Sequence, residues 1–256
     1  MPDPVVITRP APQAASLAER LTALGREAVV FPLLDIQPLP DQSALRAALA
    51  DVSGYALVAF VSPNAIAAAC ALRTDWPRSV TLAVMGEGSR IALARHGIDD
   101  SNATIVSPAN TGRTDSQTLL EALDLDSLRG KRALIVRGET GRELLGDALR
   151  AAAMEVIQIA AYRRRIPPFD HARRQELGRL LGCDSCWLIT SSEALRGLLD
   201  MAKAHGGDSS VANLQQKRLV VPHVRIEETA RELGFRSVTL TGSGDEALIA
   251  ALQSCP

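Results

Sequence analysis

The chain has 256 residues, of which 22% are charged and 3% aromatic, and its formal net charge is −1 at pH 7. This balance argues against a nucleic-acid-binding protein, because such proteins carry an excess of basic residues and aromatic platforms for the bases. The length exceeds that at which one hydrophobic core usually stays single, so we expect two domains.

Short runs of valine, isoleucine, leucine and alanine alternate along the chain with amphipathic segments, which is typical of parallel strands joined by crossover helices. The predicted class is α/β, with two doubly wound parallel sheets of five strands each. In chain order the predicted strands are Val5–Thr8, Ala28–Phe31, Ala56–Val61, Thr81–Met85, Thr104–Ser107, Ala133–Arg137, Val156–Ile159, Cys186–Thr190, Leu219–Pro222 and Val238–Thr241.

The longest apolar stretch, Ala56 to Leu72, is interrupted by Ser62-Pro63-Asn64. It therefore predicts a strand, a turn and a helix rather than a membrane span. No charged and then apolar leader precedes Val5, so we expect a cytoplasmic protein with no membrane partner. No long apolar surface stripe stands out, which favours a monomer.

The two halves of the chain repeat with a shift of about 128 residues, the spacing of Arg9 and Arg137, each of which closes an apolar run. Further along, Ser62 matches Ser191 at a shift of 129 residues. The sequence therefore predicts an internal duplication. Two facing copies of one α/β unit would leave a cleft between them, and ligands favour such clefts.

Two proline-bearing polar segments interrupt this rhythm at matching places, at about residues 32–40 and 160–168. Such segments are typical of linkers. We expect a discontinuous first domain made of residues 1–36 and 168–256, and a second domain made of residues 37–167 with the linker strands at its flanks. Two crossings between the domains would form a double hinge.

Candidate ligand-binding residues lie where the predicted strands end, because parallel sheets bind ligands beyond their carboxyl ends, at exposed helix N-termini. Arginine, small and hydroxyl residues recur there in both halves, and they suit a carboxylate or phosphate. The candidates are Arg9, Ser62, Asn64, Gly86, Ser89, Arg137, Gly138, Arg142, Ser191, Ser192, His223 and Arg225. For Ser62, Ser191 and Ser192, helix capping alone is an equally good interpretation, since serine is a preferred cap.

Metal and cofactor chemistry has little support. No glycine-rich dinucleotide motif follows a strand, and the loop from Gly138 to Arg142 lacks the ending of a P-loop. The cysteines are scattered and the histidines show no metal-ligand spacing. These residues are Cys70, Cys183, Cys186 and Cys255, and His96, His171, His205 and His223. We therefore expect a site without metal or cofactor.

The order of the motifs resembles the uroporphyrinogen-III synthase family over essentially the whole chain. The matching pieces are Ile7-Thr8-Arg9-Pro10, Phe60-Val61-Ser62-Pro63-Asn64-Ala65, Val84-Met85-Gly86, Ile135-Val136-Arg137-Gly138, Gly141-Arg142-Glu143-Leu144-Leu145, Val156 with Tyr162 and Arg164, Thr190-Ser191-Ser192, Val220–Ala230, and Gly244-Asp245 with Leu248. Two positions depart from the family pattern. Gly88 stands where a threonine often occurs, and Ala153 stands where a glycine often ends the helix.

This resemblance implies two α/β domains joined by a two-stranded linker, and an enzyme that closes the linear tetrapyrrole hydroxymethylbilane with inversion of its ring D and loss of water. The substrate carries eight carboxylates, which fits many anion donors. It would be handed over transiently by the preceding deaminase. Tyr162 matches the family's linker-strand tyrosine and is the candidate for assisting hydroxyl departure, because a phenol can donate a proton or hydrogen bond. Packing at the hinge is its alternative role.

Two other functions remain open from the sequence. One is a noncatalytic anion-binding or regulatory module on the same fold. The other is a nucleotide-linked enzyme that uses the loop from Gly138 to Arg142.

Overall fold

A computed structural model describes residues 3–108, 116–141, 143–242 and 244–253. It divides into two compact units. Unit 1 comprises Met1–Asp35 together with Arg165–Pro256, and unit 2 comprises Ile36–Arg164.

Strands and helices alternate throughout the described residues. The strands are β1 (Val5–Ile7), β2 (Ala28–Val30), β3 (Asp35–Pro38), β4 (Leu57–Phe60), β5 (Thr81–Val84), β6 (Thr104–Val106), β7 (Arg132–Gly138), β8 (Glu155–Arg165), β9 (Cys186–Leu188), β10 (Arg218–Val221) and β11 (Ser237–Leu240). The helices are α1 (Ala11–Ala23), α2 (Ser43–Ala50), α3 (Pro63–Cys70), α4 (Glu87–Ala94), α5 (Ser116–Ala122), α6 (Leu125–Leu128), α7 (Leu144–Ala151), α8 (His171–Gly182), α9 (Ser192–Gln215), α10 (Val224–Glu232) and α11 (Asp245–Gln253).

The sheet of unit 1 has the strand order β11-β10-β9-β1-β2, and its neighbouring strands are parallel. The sheet of unit 2 has the order β3-β8-β7-β4-β5-β6, with parallel pairing from β8 to β6. Apart from β3, the two orders correspond strand by strand, with β7 equivalent to β1 and β4 equivalent to β9. The duplication read from the sequence is thus present in the topology, and the predicted α/β class with two parallel sheets is confirmed.

Each sheet is covered on both faces, which explains why its strands are nearly continuous apolar runs. In β4, Val58 and Phe60 pack into the cluster on one face, whereas Leu57 and Ala59 pack into the cluster on the other. In β1, Val6 faces one core of unit 1, and Val5 faces the other. Alternate side chains of a strand point to opposite faces, so a single run of residues supplies two cores.

The expectation of ten strands in two five-stranded sheets is wrong by one strand. The extra strand, β3, lies in the proline-bearing segment that the composition marked as a linker, and it is placed at the edge of the sheet beside β8. Proline is tolerated at an edge because the N–H group that it lacks is not needed by a second neighbour. The strand predicted to end at Ile159 continues to Arg165, and Ala161 and Tyr162 give that extension a buried side.

Candidate functional site

In each unit the strand order reverses at one point, between β7 and β4 in unit 2 and between β1 and β9 in unit 1. Open α/β sheets bind ligands outside the carboxyl ends of the strands at such a point. The predicted residues that follow these four strands therefore occupy the expected position within each unit.

Ser62 links β4 to α3. Its backbone is extended and its Oγ accepts the backbone N–H of Ala65 at 3.2 Å, so it caps the helix. Pro63 follows as the first helical residue, where its fixed φ suits the helix and its missing N–H costs nothing. Asn64 is half-buried in the same first turn. The capping role considered for this serine is real, and a second contact accompanies it.

That second contact is with Tyr162, whose phenol oxygen lies 3.0 Å from Ser62 Oγ. Tyr162 is only 2% exposed and belongs to the core cluster that also contains Phe60 and Val136. The ring is therefore packed as the hinge-packing alternative expects, while its hydroxyl reaches the start of α3. The two residues are 100 positions apart in the sequence.

Gly138 makes room for this tyrosine. It pairs with Tyr162 after a register shift between Arg137 and Gly138. A Cβ at Gly138 would lie 3.0 Å from Cζ of Tyr162 and 3.2 Å from its hydroxyl oxygen. Because such contacts are tighter than ordinary packing, a side chain at this position would press against the ring. Ser62, Gly138 and Tyr162 form one contiguous cluster.

Arg137 is buried and holds partners from its own unit. Its guanidinium donates to Glu143 Oε1 at 2.6 Å and to Gln158 Oε1 at 2.7 Å, and Gln158 Nε2 donates to Glu143 Oε2 at 2.7 Å. The hydrogen bond from Gln158 and that from Arg137 lower the pKa of Glu143. A Cβ at Gly141 would approach the guanidinium to 2.7 Å, and one at Gly146 would approach Gln158 to 2.6 Å. This closed triangle ties Glu143, at the start of α7, to β7 and β8.

The turn after β5 is built on Gly86, which precedes α4 with φ 153°, a conformation that favours glycine. Ser89 is 4% exposed in the first turn of α4. Next to it, Arg90 donates to Asp100 at 2.5 Å and to Ser107 at 3.3 Å. The predicted hydroxyl at Ser89 is thus enclosed rather than presented on the surface.

In unit 1, Arg9 follows β1 and donates to Asp245 Oδ1 at 2.7 Å, at the start of α11. Thr8 is fixed by a 2.6 Å hydrogen bond to the Leu188 carbonyl. Both repeat-related arginines, Arg9 and Arg137, therefore hold a carboxylate of the protein. An external carboxylate would have to replace it.

Ser191 caps α9 by accepting the backbone N–H of Ala194 at 3.3 Å. Ser192 accepts from the hydroxyl of Thr229 at 3.1 Å, which ties the start of α9 to α10. His223 and Arg225 are exposed at the N-terminus of α10. Unit 1 therefore presents the capped start of α9 and, at the start of α10, an exposed arginine.

Arg142 lies outside the described residues. Sequence reasoning missed Glu143, Gln158, Asp245 and Thr229. An acidic residue at a helix start was the available signal, because it suits the helix dipole: Glu143 is the N-cap residue of α7, and Asp245 is the first residue of α11. Nothing local marks Gln158 or Thr229, whose partners come from distant segments.

The described residues contain no group of three or more His, Cys, Asp or Glu side chains that could hold a metal ion. Within the same ranges, no helix is long and apolar enough to cross a membrane. The fold and the strand-end residues define a two-unit α/β protein in which helix starts, hydroxyl residues and arginines lie at the switch point of each sheet.

Comparisons with known proteins identify the family. The family model of uroporphyrinogen-III synthase HemD matches residues 15–250. The uroporphyrinogen-III synthase of Salmonella typhimurium is 34% identical over 97% of this chain and 99% of its own length, and that of Escherichia coli is 32% identical over the same shares. This chain belongs to the uroporphyrinogen-III synthase family.

Solved structures agree on the fold. The uroporphyrinogen-III synthetase of Helicobacter pylori superposes with a TM-score of 0.60 at 14% identity, covering 98% of this chain and 99% of that one. A mutant uroporphyrinogen III synthase of Thermus thermophilus superposes with a TM-score of 0.58 at 17% identity, and the match covers 98% of this chain and 96% of that one. The likeness extends over both units.

Proposed function

We propose that this chain is an enzyme that cyclises hydroxymethylbilane to uroporphyrinogen III, with inversion of ring D and loss of water, and that it needs no cofactor. The observation that carries the proposal is the match to one family along residues 15–250, together with two relatives that align over 97% of the chain. The activity belongs to tetrapyrrole biosynthesis.

The first task of such an enzyme is to hold a flexible chain with eight carboxylates. Helix starts supply backbone N–H groups and a favourable dipole for anions, and the starts of α3, α4, α9 and α10 carry the candidates. A hydrogen bond to a charged group contributes about 1.5–3 kcal/mol, so a few suffice to fix a curled pose. Arg225 and His223 are the exposed candidates, and Asn64, Gly86, Ser89 and Gly138 line helix starts or strand ends.

The second task is to favour one of two ring closures. Loss of the terminal hydroxyl gives an azafulvene. Attack through a spiro intermediate inverts ring D, whereas direct closure does not. Because both closures use the same reacting groups, the protein must act by positioning the two ends and stabilising the spiro-forming transition state. We propose that Tyr162 assists departure of the hydroxyl.

Freshly made hydroxymethylbilane, with separation of the type I and type III products, tests the activity. We expect type III product from folded protein and type I from heat-unfolded protein. Type I product alone from folded protein would reject the synthase and would favour a noncatalytic anion-binding module.

The two paired arginines are proposed to bind substrate carboxylates by exchange. Glu143 is 56% exposed at its side chain, so it can turn into water when a substrate carboxylate reaches Arg137. Glu143→Gln removes the competing charge, and we expect a lower KM with kcat nearly unchanged. An unchanged or higher KM would assign Arg137 to tying the start of α7 to β7 and β8. Asp245→Asn tests Arg9 in the same way, and we again expect a lower KM with kcat nearly unchanged.

We further propose a cytoplasmic monomer that takes its substrate from the preceding deaminase, since the bilane closes by itself when it is released. Sedimentation velocity over a wide concentration range tests the monomer. Type I leakage in a coupled assay, measured with increasing amounts of this chain, tests the hand-over.

A further inference from the structure

We infer that Ser62, rather than Tyr162, is the hydroxyl of the pair that contacts the tetrapyrrole, and that Tyr162 is a positioning residue that acts through it. This inference rests on the proposed function, and it identifies the residue that donates a hydrogen bond to the departing hydroxyl group.

Burial separates the two hydroxyl groups. Tyr162 is 2% exposed and its ring is enclosed by the core cluster and by Gly138. Ser62 is only partly buried, at the turn that follows the carboxyl end of β4. A substrate at the ligand-binding edge of the sheet therefore meets the serine first.

The partners of the two hydroxyl groups indicate which of them donates the hydrogen bond that they share. Among the described residues, the phenol hydroxyl of Tyr162 has Ser62 as its hydrogen-bond partner. If Ser62 were the donor, the phenol proton would be buried without an acceptor, which costs roughly 1–3 kcal/mol. If Tyr162 is the donor, the buried phenol is satisfied, and the proton without a protein acceptor belongs to the partly exposed serine, where water can accept it. The second arrangement is therefore favoured.

The two hydrogen bonds that Ser62 accepts determine the direction of its hydroxyl hydrogen. A serine oxygen has two lone pairs and one hydrogen. One lone pair accepts the Ala65 N–H at 3.2 Å, and the other accepts the phenol at 3.0 Å. Rotation of the hydroxyl is thereby restricted, and its hydrogen takes the one remaining direction. Such a preorganised donor needs no reorientation when a substrate oxygen arrives.

The equivalent position in unit 1 lacks this arrangement. Ser191 matches Ser62 and accepts one N–H group, from Ala194. The position 128 residues before Tyr162 is Leu34, which has no hydroxyl. Of the two matched helix starts, the one in unit 2 therefore carries the directing phenol. We assign the donor for the reaction to unit 2.

The acceptor is the hydroxyl oxygen that leaves the bilane. When the C–O bond breaks, its electron pair goes to the oxygen, and the pyrrole nitrogen supplies the electrons for the new double bond. The proton that completes water is the N–H proton of that pyrrole, so no net proton is taken from the protein. Ser62 stabilises the charge that develops on the departing oxygen through its hydrogen bond.

A double-mutant cycle tests the order of the two groups. We expect Ser62→Ala to lower kcat for type III product by about 100- to 1,000-fold, as loss of a preorganised donor does. Tyr162→Phe should lower it less, and the double variant should equal Ser62→Ala alone, because the phenol acts through the serine. Ser62→Thr, which keeps the hydroxyl and the cap, should restore most of the rate. A slow Tyr162→Phe beside a fully active Ser62→Ala, or additive losses, would overturn the inference.

A matched cap controls for stability. Asp170 caps α8 by accepting the backbone N–H of Arg173 at 2.9 Å. Asp170→Ala should lower the melting temperature by about as much as Ser62→Ala does, but it should leave turnover unchanged. Equal turnover losses in both variants would reduce the role of Ser62 to capping. Should Ser62→Ala fail to fold, Ser62→Cys keeps the shape with a weak donor and should show the same slow turnover.

The contact can also be observed without activity. The chain has two tyrosines, so protein labelled with ¹³C at tyrosine Cζ gives two resonances, and Tyr55→Phe assigns them. Ser62→Ala should shift the Tyr162 resonance, whereas Asp170→Ala should leave it in place. An unmoved resonance would refute the hydrogen bond. Wild-type protein that forms only type I product, with the resonance shifted as expected, would instead reject the proposed function.

Discussion

At the scale of single residues, the site of unit 2 depends on what glycine permits. Gly138 leaves space for the ring of Tyr162, and Gly141 and Gly146 leave space for Arg137 and Gln158. A side chain at any of these positions would push a polar group away from its partner. The donors are therefore held by close backbone approach as well as by hydrogen bonds.

Replacement of Gly138 by alanine tests this packing. The added Cβ would stand 3.0 Å from Tyr162 Cζ, and overpacking of this kind costs about 1–3 kcal/mol. We expect lower stability in urea unfolding, a shifted Tyr162 resonance and slower formation of type III product. Gly182→Ala, where a Cβ meets nothing within 4 Å, is the control. Equal effects in the two variants would contradict the packing argument.

Cys70 gives a prediction about pH. Burial raises the pKa of its thiol to about 11 from an ordinary value of 9.0. The unfolded chain then releases this proton first, so the contribution of Cys70 to stability is complete below pH 9 and is lost as the pH rises to about 11. The free energy of unfolding of Cys70→Ala should fall less than that of wild type between pH 8.5 and 10.5. Parallel curves would show that the thiol is not the cause.

At the scale of elements, the two copies end equivalent helices with the same hydrogen bonds but different residues. After α1, Arg26 N–H donates to the Leu21 carbonyl, and Gly25 has φ 77°. After α7, Met154 N–H donates to the Leu149 carbonyl in the same pattern, but the left-handed position is taken by Ala153 at φ 60°. The departure noted in the sequence is thus a strained helix end.

Exchange of these two residues should have opposite effects. A left-handed conformation costs a non-glycine residue roughly 1–2 kcal/mol. Ala153→Gly should therefore stabilise the protein by about 1 kcal/mol, and Gly25→Ala should destabilise it by about as much. Chemical denaturation measures both. Destabilisation by Ala153→Gly would mean that chain entropy outweighs the relief of strain.

At the scale of the whole molecule, the compact units do not coincide with the halves of the duplicated sequence. Unit 2 is one continuous segment with a core on each face of its sheet. Unit 1 is assembled from both ends of the chain, and its strand β1 lies between β2 and β9. The first 35 residues therefore depend on partners that follow far later in the sequence.

Two fragments distinguish these descriptions. We expect residues 36–164 to fold alone, with cooperative thermal unfolding, because both cores and all six strands of the sheet except the first residue of β3 and the last of β8 are retained. Residues 1–128, which match the repeat, should not fold cooperatively, because β7 and β8 are missing and β1 has lost β9. Circular dichroism and calorimetry decide. A cooperative 1–128 fragment beside an unfolded 36–164 fragment would contradict the division.

The local sequence pattern predicted more of the fold than of the candidate site. Alternating apolar runs predicted ten of the eleven described strands, and β3 was expected only as a linker strand, because its proline-bearing composition gave no sign that it joins the sheet. For the site, hydroxyl and arginine residues at strand ends could be picked out, but their partners could not. Glu143 and Asp245, which occupy the two arginines, carry no mark that links them to Arg137 and Arg9.

The sequence by itself determined the α/β class, the duplication and the positions of strand-end residues, because these depend on short-range periodicity and on identities that the chain displays directly. Only the tertiary structure decided which of those residues meet. Ser62 and Tyr162 are 100 positions apart, and their contact depends on the order of β4, β7 and β8 and on the register shift at Gly138. Register and side-chain direction are set by packing of the whole sheet, which no local segment encodes.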